Sequence, residues 1–320
     1  MLTAAFLPPN SRVSSQPNPN SLFTTISPAS ALEYDLSYDP SKDFRVGPYF
    51  TFGRSGLKLN PYGFYCGVVE IFFGLFWWAF LKASEVFYFC CRCFIGRELD
   101  ANRKIPVLIS STWGWIIMKL TRNYPEIINR EAVMEKLNGR ACLYVANHCS
   151  WMDIPFVSAA IGYRNYKMVS KKELLKVPIL GTAIRVGDNV ILDRSNRRSQ
   201  IDAYKAGMNW LKKNVSLMTF AEGTRSRDGR FQEFKRGAFK MAQTTSLPIV
   251  PMSIVYTSNV HPIDFVFPVR SGKRIGARVV LHDPVETKDV PEGELMDVVR
   301  SRIASGLPDS QKPLNNNFTI

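Results

Sequence analysis

The sequence predicts an α/β domain with a mostly parallel central sheet flanked by helices, and ahead of it an N-terminal hydrophobic helical membrane-binding element. Three observations carry this expectation. From residue 142 onward, short apolar runs alternate with segments of helical periodicity, the pattern of strands joined by crossover helices. Two of those runs stop abruptly in polar turns, at Asn147 and at Glu222, and open α/β sheets bind ligands beyond the carboxyl ends of their strands. Upstream, Tyr62 to Leu81 is twenty residues with a single charge, Glu70, close to the length a membrane span needs.

In chain order, residues 1–60 read as a disordered or targeting segment. The first 32 hold six serines and no Asp or Glu, a composition that cannot form a packed core and that partly resembles a plastid transit peptide, although Arg12 is its one arginine. Residues 33–60 read as an irregular lead-in. Residues 61–125 are the hydrophobic helical segment. Lys82, Arg92, Arg97, Arg103 and Lys104 follow its most apolar part, which favours a cytosolic or stromal side there. Two geometries fit, a single span or a pair of helices dipping into one leaflet, and a buried helix of a soluble protein competes with both. Ile105 to Leu120 carries Trp113 and Trp115, residues suited to a membrane interface.

Residues 126–306 form the α/β domain. The spacing predicts strands over 142–146, 166–169, 190–192, 217–221, 249–256, 264–269 and 277–282. Helices are expected over 154–161, from 171, around 201–211 with a cap at Ser199, over 236–244 and over 292–303. Ile201, Tyr204, Met208 and Leu211 recur at helical spacing and read as core. Residues 307–320 read as a loose tail.

The chain has 41 Lys and Arg against 27 Asp and Glu, a formal charge of +14. That balance favours anionic partners. No zinc-finger spacing or RNA-binding aromatic signature accompanies it, so membrane lipid and phosphorylated substrates are expected, and nucleic acid is not. The six cysteines have no disulfide-framework spacing, which points to a reducing compartment. Cys90, Cys91 and Cys93 lack a second pair or a nearby histidine to complete a zinc site; apolar packing or palmitoylation accounts for them.

The turn after residue 146 is the centre of the chemistry. His148 offers an imidazole, the side chain suited to proton transfer near neutral pH, and Asp153 lies five residues on. If the chain turns into a helix near Trp151, the carboxylate folds back, holds one ring nitrogen as a donor and frees the other as a base. The bland alternative is a loop histidine beside a helix cap. In the second turn Gly223 permits close backbone approach and Arg225 offers a donor fork for phosphate.

These residues resemble a known family. Asn147-His148-Cys149-Ser150-Trp151-Met152-Asp153 is similar to the histidine-four-residues-aspartate box of the glycerolipid acyltransferases, and Phe220-Ala221-Glu222-Gly223-Thr224-Arg225-Ser226 to their Glu-Gly-Thr-Arg box. Val190-Ile191-Leu192-Asp193-Arg194 resembles the block that ends in a phosphate-binding arginine, and Leu247-Pro248-Ile249-Val250-Pro251 the proline block. The resemblance covers roughly residues 105 to 285 and is nearest to the 1-acyl-glycerol-3-phosphate acyltransferases, in particular the plastid-type plant and algal members.

The resemblance implies the glycerolipid acyltransferase fold with a two-helix membrane-binding element. It implies transfer of a fatty acyl group from acyl-CoA or acyl-carrier protein, as co-substrate, to the sn-2 hydroxyl of lysophosphatidic acid, giving phosphatidic acid. No cofactor and no metal are expected. Another lysophospholipid or glycerol 3-phosphate as acceptor, or a silent membrane-binding homologue, are the alternatives. His148 and Asp153 are then catalytic. Arg194, Glu222, Gly223, Thr224, Arg225, Asn147 and Lys171 are the substrate-binding candidates, with Arg194 and Arg225 on the phosphate and Glu222 anchoring its turn. Nine basic residues against three acidic lie between Arg164 and Arg198, and Lys171 and Lys172 among them are candidates to reach a phosphate. The block ending at Arg194 departs from the family in lacking an aromatic residue. A plastid envelope or the endoplasmic reticulum is the expected membrane.

Overall fold

The computed structural model describes residues 47–52 and 56–313, which belong to one compact unit beginning at Asp39. The transit-like stretch and the last seven residues lie outside the described residues.

The lead-in is more regular than expected. β1 (Phe50–Phe52) and β2 (Leu57–Leu59) pair antiparallel, and Asn60 then caps a long helix. The Asn60 side chain accepts from Gly63 N–H and Pro61 follows it, so an unpaired N–H is satisfied at a helix start where proline is pre-organised. α1 runs Pro61–Cys90, continuing in a π-helical turn Cys91–Ile95, and α2 runs Lys104–Leu120. The two helices pack together. Gly63, Gly67, Gly74, Trp77, Leu81 and Tyr88 of α1 are buried at heptad spacing, the glycines lying against Pro268, Phe267 and Ile179. Trp77 and Trp113 stack at 4.2 Å, and Trp77 Nε1 donates to Ser110 Oγ. Trp113 therefore serves the helix pair, whereas Trp115 is exposed. Phe64, Ile71, Phe72, Leu75, Phe76 and Phe80 are also exposed on α1. Pro61–Ile95 is long and apolar enough to cross a membrane, and only 28% of its most apolar window is buried.

The domain that follows is built on β3 (Glu126–Ile128), α3 (Arg130–Leu137), β4 (Leu143–Ala146), α4 (Asp153–Ile161), β5 (Tyr166–Lys171) and α5 (Leu180–Val186). It continues with β6 (Val190–Leu192), α6 (Arg197–Lys212), β7 (Ser216–Phe220), α7 (Gly237–Thr245), β8 (Ile249–Val255), α8 (Thr257–Val260), β9 (Arg278–Leu281) and α9 (Glu292–Ser305). The sheet has seven strands in the order β3-β9-β8-β4-β7-β5-β6. Its pairs are parallel except β8 with β9. Every residue of β4 and β8 is buried, which is why they read as unbroken apolar runs: crossover helices cover both faces of a parallel sheet. α1 contacts α2 and α5, α2 contacts α4, and α6 contacts α7.

Some expectations need correction. Residues 264–269 are not a strand; Pro262 precedes them and Pro268 lies within them, neither supplying an N–H, and among the described residues a single bridge, Lys58 with Phe265, forms there. The helix expected from residue 171 starts later: Lys171 still belongs to β5, a 3₁₀ turn covers Lys172–Lys176, and α5 begins after Pro178 because the residue before a proline disfavours helical angles. α6 is capped by Asn196, which accepts from Arg198 and Ser199 N–H, so Ser199 lies inside the helix. That start leaves Ile201 48% exposed, while Ala203 and Trp210 join Met208 and Leu211 in the core. Pro251 lies in a central strand, β8 between β9 and β4, at the point where the β8–β9 ladder ends, its carbonyl accepting from His282 N–H. Nor are residues 307–313 loose. Leu307 and Gln311 are buried; the Gln311 carbonyl accepts from Phe231 N–H and its side chain from Tyr256 N–H.

Candidate active site

The carboxyl ends of β4, β5, β6 and β7 open onto one cavity of about 1490 Å³. At its centre is the turn between β4 and α4. Asp153 occupies the first turn of α4, where a carboxylate is favoured by the helix dipole, and it is fully buried. Its Oδ2 accepts from His148 Nδ1 at 2.7 Å, from Cys149 N–H at 2.7 Å and from Ser150 N–H at 2.8 Å. Its Oδ1 accepts from Thr257 Oγ1, the first residue of α8. Two backbone donors fix the carboxyl as an acceptor, so Nδ1 of His148 carries the hydrogen and Nε2 is left with a lone pair. His148 lines the cavity.

Phe220, the last residue of β7, lies face to face with the imidazole, with centroids 3.9 Å apart and planes within 10°. Glu222 supports the ring from below. Its Oε1 accepts from His148 N–H at 2.7 Å and its Oε2 from Gln232 N–H at 3.2 Å, so it ties together both polar turns. Burial pushes this carboxyl up to about 8, against the pull of those two backbone donors. The other two histidines are structural. His261 is buried with Nε2 on the Phe265 carbonyl, and His282 is held by Ser253, burial lowering it to about 4.

Arg194, Arg225, Lys171, Gly223 and Thr224 all line the same cavity. Among the described residues, no ion pair involves Arg194, Arg225 or Lys171. Burial lowers all three from their ordinary values, and the charges of Arg194 and Arg225 push Lys171 down further. The three share one cavity without an ion-paired carboxylate, the charges of Glu173 and Asp153 acting on them only at longer range, and an anion would relieve such a site. Arg225 is steadied by the face of Trp151 at 4.6 Å. Gly223 has φ +81°, and a Cβ there would lie 3.7 Å from the Arg194 guanidinium and 3.5 Å from Lys235 Cγ. Those are ordinary contacts, so it is the left-handed backbone that calls for glycine here.

Two candidates are placed elsewhere. Asn147 is buried and committed to β8: its amide donates to the Ile254 carbonyl and its oxygen accepts from Ile254 N–H, so it fastens the turn and does not face the cavity. Lys172 turns outward to Asp193 at 3.3 Å. Phe220 and Thr257 are the site residues that sequence reasoning missed. Phe220 stood next to Glu222 in a recognised block, but Thr257 is 104 residues from its partner and carried no local signal.

Residues 125–255 match the sequence profile of the family described as Acyltransferase. Among the proteins the chain is similar to is a chloroplastic 1-acyl-sn-glycerol-3-phosphate acyltransferase of Brassica napus, 36% identical over 166 residues, 52% of this chain and 46% of that one. Another is a chloroplastic 1-acyl-sn-glycerol-3-phosphate acyltransferase of Arabidopsis thaliana, 35% identical over 165 residues, 52% of this chain and 44% of that one. The chain thus spans less than half the length of these two curated relatives. A solved structure, the 1-acyl-sn-glycerophosphate acyltransferase of Thermotoga maritima, superposes with a TM-score of 0.52 at 25% identity, covering 75% of this chain and 95% of that one.

Proposed function

We propose that the acyltransferase chain moves a fatty acyl group from a thioester to the sn-2 hydroxyl of lysophosphatidic acid, giving phosphatidic acid. The observation that supports this reading is the shared cavity: a His148–Asp153 pair opens onto the same space as three cations that lack acidic partners. The relatives' names supply the acceptor, and the cavity has the features that acceptor requires.

In this mechanism Arg194, Arg225 and Lys171 hold the acceptor phosphate and bring its glycerol hydroxyl to His148. Nε2 takes the hydroxyl proton as the oxygen attacks the thioester carbonyl. The imidazolium is held by Asp153 and faced by Phe220. The tetrahedral intermediate collapses by breaking the carbon–sulfur bond, and the departing thiolate takes the proton back from Nε2. General-base transfer of this kind is worth roughly 10²–10⁴-fold in rate. Glu222, Asn147 and Thr257 keep the two turns in register. No cofactor beyond the acyl-CoA or acyl-carrier-protein substrate enters the scheme.

The exposed aromatic face of α1 is read as the side that meets lipid, with the helix pair lying in one leaflet, since an apolar surface of this extent marks a membrane or partner interface. A plastid membrane is proposed from the chloroplastic relatives.

Purified protein in lipid nanodiscs, supplied with radiolabelled acyl thioester and lysophosphatidate, tests the reading. His148→Ala should lose at least a hundredfold in kcat while still sedimenting with vesicles. Product formation at the wild-type rate by that variant would remove the proposed base. Transfer to lysophosphatidylcholine or glycerol 3-phosphate in place of lysophosphatidate would reassign the acceptor.

A further inference from the structure

The cavity does not stay on one side of the sheet. One arm runs beneath the membrane helices, between α2, α4 and α5, and is lined by Trp77, Trp113, Ile117, Ile154 and Ile184. The other passes over the carboxyl ends of the strands to the opposite face, between the N-terminal halves of α6 and α7, where Ala203, Tyr204, Gly237, Ala238 and Met241 line it. The volume, about 1490 Å³, is beyond the roughly 300–1,000 Å³ that suits a single small ligand. His148 and Phe220 stand where the two arms join.

The chemistry of acyl transfer needs such a shape. A thioester has two substituents on opposite sides of its carbonyl. If the acyl chain lies in the apolar arm below the membrane helices, the sulfur points the other way and its carrier must leave by a separate route. The α6–α7 arm is that route on geometric grounds. Its walls are small, Gly237 and two alanines; a Cβ at Gly237 would meet nothing within 4 Å. Its rim is cationic. Arg197, Arg198 and Lys205 on α6 and Lys235, Arg236 and Lys240 at α7 are exposed, with Asp202 and Glu233 as exposed acids nearby. A groove with amide, hydroxyl and thioether groups from Gln200, Tyr204 and Met241, ending at a positive rim, fits an amide chain with a phosphate at its far end.

We propose that the groove between α6 and α7 receives the phosphopantetheine arm of the acyl donor, whether that arm is carried by coenzyme A or by an acyl-carrier protein. The assignment rests on the acyl-transfer reading above and adds to it where the donor enters.

Ala238→Phe fills the groove from a half-buried position, and the pair Arg198→Glu with Lys240→Glu cancels the rim's net positive charge by reversing two of its cations at the surface. KM for palmitoyl-CoA and for palmitoyl-acyl-carrier protein, and KM for 1-oleoyl-lysophosphatidate, are measured on the full chain in nanodiscs. Ala238→Phe should raise the donor KM at least tenfold and leave the lysophosphatidate KM within twofold. The rim reversal should raise donor KM as well, by the larger factor for whichever donor the protein uses. A donor KM within twofold of wild type in both variants, or a rise confined to lysophosphatidate, overturns the proposal. Calorimetric titration with desulfo-coenzyme A and with free 4′-phosphopantetheine reads the groove without turnover. Binding by wild type that weakens in Ala238→Phe supports the groove even if no transfer to lysophosphatidate is seen, and failure of both probes to bind the wild type overturns it. If Ala238→Phe does not fold, the rim variant and the titrations decide.

Discussion

Thr257→Val isolates one hydrogen bond at the heart of the site. Thr257 and Asp153 are both fully buried, and the hydroxyl supplies the donor to Oδ1 while three other donors share Oδ2. Valine keeps the shape and removes the donor, so the exchange leaves one lobe of a buried carboxylate without a partner. A hydrogen bond to a charged group is worth about 1.5–3 kcal/mol net, and no water can replace it at a site of zero accessibility. Urea unfolding should therefore register a loss of about 1.5–3 kcal/mol. Asp153 also holds His148, so freedom gained by the carboxylate is passed to the ring. If about 1.4 kcal/mol of that loss falls on the transition state, kcat drops roughly tenfold. KM for lysophosphatidate should stay near wild type, because Thr257 does not line the cavity. Thr257→Ser should restore both stability and rate. Thr257→Val that matched wild type in urea midpoint and kcat would refute the reasoning.

Phe220→Leu removes the stacked ring at 3.9 Å from His148, and since such a contact is worth about 0.5–1.5 kcal/mol, kcat should fall roughly two- to tenfold; a steady-state assay at saturating acceptor checks this. Gly223→Ala strains the turn that carries Arg225, because a side chain at φ +81° is disfavoured, and should raise the KM for lysophosphatidate more than the KM for the donor. Lys167 is fully buried, its Nζ donating to the Gly187 carbonyl at 2.9 Å, and burial lowers it to about 8 from 10.5. The unfolded chain then holds more protons than the native one between about pH 8 and 10.5, so this lysine's destabilising contribution is fully present below pH 8 and fades as pH rises, by about 3 kcal/mol at most. Urea midpoints at pH 7.5 and 10 should show that gain in wild type and lose it in Lys167→Met.

Local pattern carried a large part of this protein. The strand–polar turn–helix unit around His148 and Asp153 was legible because an abrupt change from an apolar run to polar residues marks a strand end, and a five-residue spacing lets a helix start return its carboxylate to the turn. The length and aromatic content of α1 were legible for the same reason: they depend on composition within one segment. Arg194, Arg225, Gly223 and Lys171 were identified by residue type and block, yet nothing local said that all four face one cavity.

Tertiary structure decided what required distant segments to meet. Asn147 has the chemistry to face a substrate, and only the approach of Ile254 from β8 turns it away. The order β4-β7-β5-β6 brings the ends of these strands side by side, and so sets Phe220 on His148 and Arg194 beside Gly223. Thr257 reaches Asp153 because β8 lies next to β4, and Gln311 is ordered because Phe231 and Tyr256 need hydrogen-bond partners in the core. Sequence by itself determined which groups would be available and which segments would be apolar, since both follow from neighbours along the chain. Which groups share a space was set by sheet order and helix packing, because those depend on contacts between residues tens to hundreds of positions apart.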